Sequence, residues 1–286
     1  MNKISRRNFI RASALSALGA AAAGALSGCS NNAASSSAAS SVASSAASSE
    51  AASTSAAAGE LTTVEAGKLT MATNAAFPPY EMTTDAGEFE GIDIDTAKAI
   101  AEKLGLELQI DDMDFDAALL SVQQGKADIA MAGVTVTDER KAVMDFSDSY
   151  ATGIQSIIVP EGSDITSPDD LAGKKIGTQR GTTGYIYCSD DFGDENVVAY
   201  DDGLTAVQAL NNGQVDAVVI DNAPAKSFVE ANPGLKILDT AYAQEDYAIG
   251  VAKGNTELLN AINGALEELK ADGTLQAIVD KYINAE

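Results

Sequence analysis

From residue 61 onwards, short apolar runs alternate with segments in which apolar residues recur every three or four positions. Runs of the first kind predict buried β-strands, segments of the second kind predict amphipathic helices, and their alternation is typical of α/β proteins. Because this part of the chain is longer than one small core needs, we expect two lobes. The strands are predicted at 69–72, 127–132, 175–178 and 215–220, and the helices at 93–104, 115–124, 256–270 and 274–282, with one more opened by Ser167 and Pro168.

Two stretches of this pattern resemble each other. Residues 118–133 and 207–221 each contain a helix end, a polar pair before a glycine, an aspartate three residues later and an apolar strand. This indicates an internal duplication in which Gly133 and Asp221 follow equivalent strands. Ligands bind at the carboxyl ends of strands in open α/β sheets, so two such sheets facing each other would enclose a cleft. The alternative is a chance recurrence, because helix, glycine and strand follow one another in many α/β proteins.

The first 60 residues carry a different pattern. Residues 1–28 combine a basic start, an apolar stretch and small residues, which is typical of an export signal, and Arg6-Arg7 resembles a twin-arginine motif. The run that ends at Cys29 resembles a bacterial lipobox, so we expect cleavage before Cys29 and a lipid on it. The alternative is an ordinary secretory signal with a chance cysteine. Residues 29–60 are mostly Ser and Ala with no large apolar residue to bury, and we expect a lipid-anchored tether.

The composition removes several classes of function. The chain has no His and only two Cys, which excludes His-based catalysis and zinc or iron–sulfur sites built from clustered Cys and His. A formal net charge of -24 argues against nucleic acid as a partner, because phosphates are met by Lys and Arg. Beyond residue 28 there are 14 basic residues against 42 acidic ones, and only Arg140 and Arg180 are arginines. Solubility is the simplest explanation of the acidity.

Arg140 occupies an unusual place. Thr137 is a predicted N-cap, which puts Arg140 in the first turn of a helix, at the end where a cation is unfavourable. A bound carboxylate would compensate, because a guanidinium grips it with two charge-assisted hydrogen bonds. The alternative is a surface arginine paired with Glu139 or a nearby aspartate.

Other residues after the predicted strands complement this arginine. The glycine-rich run from Gln179 to Gly184 precedes a helix and could offer backbone N–H groups to the same anion, although it is not a phosphate-binding P-loop. Asp221, with the Thr135 hydroxyl and a carbonyl near Gly133, would hold an ammonium group. An arginine for a carboxylate and an aspartate for an ammonium together describe an α-amino acid site. Asp221 could instead simply cap the following helix.

Several separate motifs, all in one order, give the chain a family resemblance. Residues 61–286 resemble the family 3 extracellular solute-binding proteins of ABC importers, in the polar amino acid group. The motifs that carry the resemblance are 72–81 (ATNAAFPPYE), 91–95 (GIDID), 133–140 (GVTVTDER), 145–147 (DFS), 181–183 (GTT) and 272–274 (DGT).

The resemblance implies a role for individual positions. Arg140 matches the arginine that binds the ligand carboxylate, and Thr182 matches a residue of the second lobe that donates a backbone N–H to it. Gly133, Thr135 and Asp221 match the ammonium binders. Phe77 and Phe115 match positions that pack on the ligand's aliphatic part. Asn74 and Gln179 match positions that contact its side-chain end.

The resemblance also implies an architecture and partners. The fold is two α/β lobes of the type II periplasmic-binding-protein kind, with the ligand cleft between them and two crossing strands, expected near 150–154 and 244–247. Lobe 1 would comprise 61–150 and 248–286, and lobe 2 would comprise 151–247. The expected protein is a monomeric, extracytoplasmic lipoprotein on the outer face of the bacterial membrane. It would deliver an amino acid to an ABC permease and need no metal or organic cofactor.

The ligand's identity is less well defined by the sequence. Neutral Asn74 and Gln179 favour a neutral polar amino acid, with cystine or glutamine conceivable, and Glu81 is expected to be too distant or solvated. Arg180 is interpreted as a solvated loop charge and Cys188 as a small helix residue. Tyr80 is expected to pack rather than to touch ligand. Two alternative functions are an exported enzyme on the same fold, such as a cyclohexadienyl-dehydratase-like protein acting on prephenate-like acids, and a sensory ligand-binding module.

Overall fold

The computed structural model describes residues 61–283, in which strands and helices alternate and confirm the α/β class. In chain order the strands β1 to β14 are Lys68–Thr73, Ala76–Phe77, Glu81–Thr83, Phe89–Glu90, Glu107–Asp112, Ile129–Ala130, Met144–Phe146, Ala151–Pro160, Ile176–Gln179, Val197–Tyr200, Ala217–Asp221, Leu235–Ile237, Ala243–Tyr247 and Gly250–Ala252. The helices α1 to α8 are Ile92–Leu104, Phe115–Gln123, Asp138–Val143, Thr183–Phe192, Gly203–Asn211, Asn222–Ala231, Thr256–Ala271 and Thr274–Tyr282.

Each lobe has its own main sheet. The first has the order β5-β1-β6-β14-β7, with β1 parallel to both of its neighbours. The second has the order β10-β9-β11-β8-β12, and β13 also pairs with β8. In both sheets the parallel strands are reached through crossover helices, which leaves the carboxyl ends of the strands at one edge. A small sheet, β2-β3-β4, completes the first lobe.

Two strands connect the lobes. After β7 the chain enters β8, and it returns through β13 to β14, which lies between β6 and β7 in the first sheet. The crossing strands pair in antiparallel fashion from Ala151 opposite Tyr247 to Gln155 opposite Ala243. The segments 150–154 and 244–247, where crossing strands were expected, coincide with the first part of β8 and with β13, and β8 continues to Pro160 as a strand of the second sheet.

The two similar stretches of sequence fold alike. Gly125 and Gly213 have φ of 65° and 67°, the left-handed conformation that glycine adopts without strain. The aspartates three residues later both accept a hydrogen bond from a backbone N–H at the start of the neighbouring parallel strand. Asp128 accepts from Thr70 at 2.7 Å, and Asp216 accepts from Lys175 at 2.8 Å. Helix end, turn and strand start are therefore built in the same way in both lobes.

Helices cover the first sheet on both faces. On one face, α1 packs against α7 through buried side chains such as Ile94, Ile100, Ile262 and Leu266, each worth roughly 1.5–3 kcal/mol on full burial. Helix α1 ends at Gly105, whose φ of 68° closes the last turn.

The helix predicted after Ser167 is a four-residue 3-10 turn, Pro168–Leu171, with Ser167 and Asp170 forming a capping box. Among the described residues, no helix is long and apolar enough to cross a membrane.

Candidate ligand-binding site

A cavity lies between the lobes, beside the crossing strands. All nine sequence-predicted ligand residues line it: Asn74, Phe77, Phe115, Gly133, Thr135, Arg140, Gln179, Thr182 and Asp221. Seven further residues line it as well: Glu81, Ala132, Gln155, Thr183, Val219, Ile220 and Tyr247. The structure thus brings together every position that the sequence nominated, and their contacts with a ligand remain predictions.

Arg140 is buried at one side of this cavity, with 8% of its surface exposed. Thr137 caps its helix, accepting a hydrogen bond from the Arg140 backbone N–H at 3.2 Å. The guanidinium donates to the carbonyls of Thr135 at 2.8 Å and Gly181 at 3.1 Å, and lies 5.3 Å from the centre of the Phe115 ring. The alternative of a surface arginine paired with an acid is wrong, because Arg140 has no ion pair among the described side chains.

No acidic side chain of the described residues forms an ion pair with the guanidinium, so its positive charge is not neutralised by a direct contact. Burial lowers the pKa of Arg140, and the negative charge of Glu245 nearby opposes that effect. Carbonyl oxygens orient the planar group without neutralising it. A carboxylate in the cavity would supply both the charge and the planar geometry that an arginine fork matches.

Asp221 caps a helix and also lines the cavity, so the two alternatives that the sequence offered for it do not exclude each other. Its carboxylate caps α6 by accepting from the Ala223 N–H at 3.0 Å, and it also accepts from the Ile154 N–H at 2.6 Å. It lines the cavity at the same time. Burial raises the pKa of Asp221 to about 6, while these donors and the Tyr247 hydroxyl act in the opposite direction. Above that pH the group is an anion on the cavity wall.

Gly133 allows aromatic rings to approach the cavity. Its φ is +55°, and a Cβ at this position would lie 3.0 Å from Phe77 Cε1 and 3.2 Å from Tyr247 Cε2. Its N–H donates to the buried carboxyl of Asp93 at 2.9 Å. Glycine is thus required for both the backbone conformation and the space, and the residue is fixed from behind by Asp93.

The lobes contact each other directly across the cavity. Gln179 of the second lobe donates to the side-chain carbonyl of Asn74 at 2.8 Å, and Asn74 in turn donates to the Met113 carbonyl at 2.9 Å. The bond between Arg140 and the Gly181 carbonyl joins the lobes at the site in the same way. The structure is consequently a closed arrangement of the two lobes.

Thr182 begins the helix that faces Arg140. Its hydroxyl caps α4 by accepting from the Tyr185 N–H at 3.3 Å, and this helix starts at Thr183, inside the glycine-rich run that was expected to precede it. The Thr182 N–H makes only a long 3.4 Å bond to the Gln179 carbonyl. This N–H lies at a helix N-terminus next to the guanidinium, where an anion is favoured.

Glu81 is the main correction to the sequence-based picture. Expected to be distant or solvated, it lines the cavity and has no exposed surface. Neither of its oxygens accepts a hydrogen bond from a backbone or neutral side-chain donor in the described part of the chain. Its hydrogen-bonding contact is the carboxyl of Asp93, and burial beside that group raises the pKa of Glu81 well above its ordinary value.

Asp93 is the better stabilised partner of this carboxyl pair. It is fully buried and accepts hydrogen bonds from the Gly133 N–H and, at 2.8 Å, from the Tyr150 hydroxyl. Burial still raises the pKa of Asp93 to about 6, because these donors offset only part of the desolvation. Glu81 is therefore the member of the pair that holds a proton most readily.

The remaining interpretations of single residues can also be compared with the structure. Arg180 is exposed and pairs with Asp201 at 3.2 Å, as a solvated loop charge should. Cys188 is buried within α4, and Cys29 lies outside the described residues. Tyr80 is buried and packs against the rings of Phe77 and Tyr247, with centroids 5.8 and 5.4 Å away.

Sequence reasoning missed the polar residues that the crossing strands place at or beside the cavity. Gln155 on β8 lies between Ile154 and the apolar run 157–159, and a long polar side chain at that place was an available signal. Glu245 on β13 offers no such signal, because an acid on a strand that alternates buried and exposed residues is usually placed on the exposed side.

Comparison with known proteins agrees with this geometry. Residues 69–285 match the family of bacterial extracellular solute-binding proteins, family 3. The chain belongs to this family. The L-cystine-binding protein TcyJ of Escherichia coli K12 is 33% identical over 226 residues, which cover 78% of this chain and 85% of that protein.

Solved structures of higher identity point to the same family. An ancestral arginine-binding protein bound to arginine is 45% identical with a TM-score of 0.73, covering 76% of this chain and 99% of that one. An ancestral arginine-binding protein bound to glutamine is 44% identical with a TM-score of 0.74, covering 77% and 100%. This solute-binding protein accordingly has the two-lobe fold of periplasmic amino acid-binding proteins. The named relatives are binding proteins and not enzymes.

Proposed function

We propose that this protein captures an amino acid with a cationic side chain between its lobes and delivers it to an ABC permease. The observation that carries the side-chain preference is the charge balance of the cavity wall. It presents one cation, Arg140, and two carboxyl groups, Asp221 and Glu81. A neutral amino acid brings one carboxylate for Arg140 and one ammonium for Asp221, and leaves Glu81 with no partner besides the Asp93 carboxyl.

A second positive charge on the ligand would complete this balance. Glu81 is fully buried and receives no hydrogen bond from a neutral donor of the described residues, so a guanidinium or ammonium beside it would satisfy an otherwise costly group. The amide groups of Asn74 and Gln179, on which the expectation of a neutral ligand rested, are partly occupied by each other. The relatives named above, which are described as binding arginine, glutamine or cystine, support the amino acid class.

Closure of the lobes follows from where the site residues lie. We place the lobes at 61–150 with 248–286 and at 151–247, so that Arg140 and Glu81 belong to the first lobe and Thr182 and Asp221 to the second. A ligand that touches both halves binds the closed form more tightly and shifts the population towards it. Exclusion of water then strengthens each charged contact.

Titration with a small panel tests the proposal. L-arginine, L-lysine, L-glutamine and L-cystine are each added to the purified protein in a calorimeter and in a thermal unfolding assay. We expect the cationic pair to bind most tightly, and saturation at 100 times Kd to add about 2.7 kcal/mol to the free energy of unfolding. Failure of every amino acid to bind would overturn the function. Tighter binding of glutamine or cystine would overturn only the side-chain preference. Recovery of the ligand unchanged distinguishes binding from catalysis.

The proposed delivery places the protein outside the cell membrane. Membership of the family and the pattern of residues 1–28 support export, and the run ending at Cys29 supports lipid attachment. Intact mass of the mature protein should show a diacyl addition at Cys29, and Cys29→Ser should abolish it. Loss of labelled arginine uptake in cells that lack this gene, with recovery by the wild-type copy and not by Arg140→Ala, would support the permease partnership.

A further inference from the structure

A buried carboxylate on a crossing strand touches the cavity wall without lining the cavity itself. Glu245 lies on β13 and has 1% of its surface exposed, between the exposed neighbours Gln244 and Asp246. Its Oε2 atom accepts hydrogen bonds from the Thr135 hydroxyl at 3.1 Å and from Gln155 Nε2 at 3.0 Å. Both donors line the cavity, one from the first lobe and one from β8.

These two bonds fix the direction of the Thr135 hydroxyl. A hydroxyl has one hydrogen and two lone pairs, and a carboxylate can only accept. The Thr135 hydrogen is therefore committed to Glu245, and its lone pairs are left for other partners. One lone pair can accept a hydrogen bond from the Thr183 hydroxyl, 3.5 Å away. The other lone pair is then left for a further donor. Thr135 thus presents an acceptor, the polarity that suits an ammonium group.

We infer that Glu245 is a positioning residue that holds Thr135 as an acceptor for the ligand's α-ammonium group. The inference rests on the proposed function, since it requires an amino acid in the cavity. The same carboxylate is bonded from both sides of the cleft, because Thr135 belongs to the first lobe and Gln155 to the crossing strand β8. The carboxylate that keeps Thr135 an acceptor therefore lies on β13, one of the two strands that connect the lobes.

The electrostatics of the site agree with this role. The charge of Glu245 acts on Arg140 without an ion pair between them, so the guanidinium stays available to a carboxylate. A negative charge at this place favours a ligand ammonium and disfavours a ligand carboxylate. Removing it should therefore weaken the hold on the ammonium group alone.

The test compares two ligands that differ only in the α-amino group. L-arginine and 5-guanidinopentanoate, which lacks that group, are titrated by calorimetry into the wild type and Glu245→Gln. The substitution Glu245→Gln keeps the volume of the side chain but removes its charge and one of its acceptor oxygens. We expect arginine affinity to fall about tenfold or more, the loss expected when a charge-assisted hydrogen bond is weakened, while the analogue binds as before or more tightly. Equal losses for both ligands would overturn the inference and leave Glu245 a structural residue.

A double-mutant cycle shows whether the effect passes through Thr135. In a Thr135→Val background, Glu245→Gln should cause little further loss of arginine affinity, whereas a second full loss would contradict the proposed route. Asp246→Asn is the matched control, because this acid is adjacent, exposed and on the opposite face of β13, and both affinities should stay within twofold. If circular dichroism shows Glu245→Gln to be unfolded, Glu245→Asp retains the charge on a shorter side chain. It should give the same arginine-selective loss, and equal losses would overturn the inference.

Failure of this inference differs from failure of the proposed function. If wild-type protein binds no amino acid, the function itself is wrong. If wild-type protein binds arginine and the Glu245 variants weaken both ligands equally, the function stands and the positioning role is wrong.

Discussion

Replacing Glu81 by glutamine tests the charge balance of the cavity most sharply. The change keeps the size of a side chain that is fully buried in the cavity wall and removes its capacity for negative charge. A cationic ligand would displace the proton that Glu81 holds and bind a carboxylate, whereas glutamine at this position stays neutral, so the variant would lose a charge-assisted hydrogen bond worth about 1.5–3 kcal/mol. This corresponds to a roughly ten- to one-hundred-fold weaker binding of arginine. Glutamine has no second positive charge, so its affinity should change by less than about threefold.

The pH dependence follows from the same groups. Tyr80 and Tyr150 flank the carboxyl pair, and the charges facing Glu81 are those of Asp93 and Asp112. Burial raises the pKa of Asp93 to about 6, and that of Glu81 well above its ordinary value, so the pair is neutral below about pH 6 and carries one negative charge above it. A ligand cation prefers the charged pair, so arginine affinity should rise as pH increases through 6.

Glutamine provides the control for this dependence. Asp221, whose pKa is also raised to about 6, would face the ammonium of any bound amino acid, and every affinity should then rise through the same range. The ratio of arginine affinity to glutamine affinity isolates the contribution of Glu81 and Asp93. Calorimetry at pH 5.5 in buffers of different ionisation enthalpy should show more protons released by arginine than by glutamine. An unchanged ratio between pH 5 and 7.5, or equal weakening of both ligands in Glu81→Gln, would refute the reasoning.

Three further substitutions probe other parts of the account. Arg140→Ala should abolish detectable binding of every amino acid while the protein stays folded by circular dichroism; retained affinity in a titration would remove Arg140 from the site. Gly181→Ala should weaken arginine binding about tenfold, because φ is +74° and the new Cβ would lie 3.0 Å from Asp116 Cβ across the cleft, and unchanged affinity would show that the lobes do not close this tightly. Gly91→Ala should lower the free energy of unfolding by about 2 kcal/mol or more in urea titration, since φ is +134° and the added Cβ would overlap the Tyr80 carbonyl. Its control is Gly87→Ala, where φ is +80° but the space is open, and an equal cost at both positions would contradict the steric argument.

The fold was largely predictable because its elements are long and strongly patterned. Helices α1, α7 and α8 were placed within a few residues by their apolar periodicity and by Gly105. Strand β5, Glu107–Asp112, was not indicated, because it lies at the edge of its sheet, with side chains only partly buried and no apolar run. Its position is set by pairing with β1 along six residues, a long-range effect that a local pattern does not carry.

The candidate site was predictable as far as it follows strand ends and recognisable motifs. Arg140 was conspicuous as a scarce cation at the positive end of a helix, and Gly133 and Asp221 were linked by the repeat. The burial of Glu81, Asp93 and Glu245 was not predictable, because a buried carboxylate is unfavourable until tertiary structure supplies its partners. Nothing local in the chain distinguishes them from the many solvated acids of this protein.

One titration tests the central claim most directly, which is that the cleft holds an α-amino acid by its carboxylate at Arg140. L-arginine and agmatine, which is arginine without its carboxylate, are titrated into the wild-type protein under identical conditions. The account predicts saturable one-to-one binding of arginine and an affinity for agmatine lower by a factor of at least about one hundred. Agmatine binding as tight as that of arginine, or no binding of arginine or any other amino acid, would contradict it.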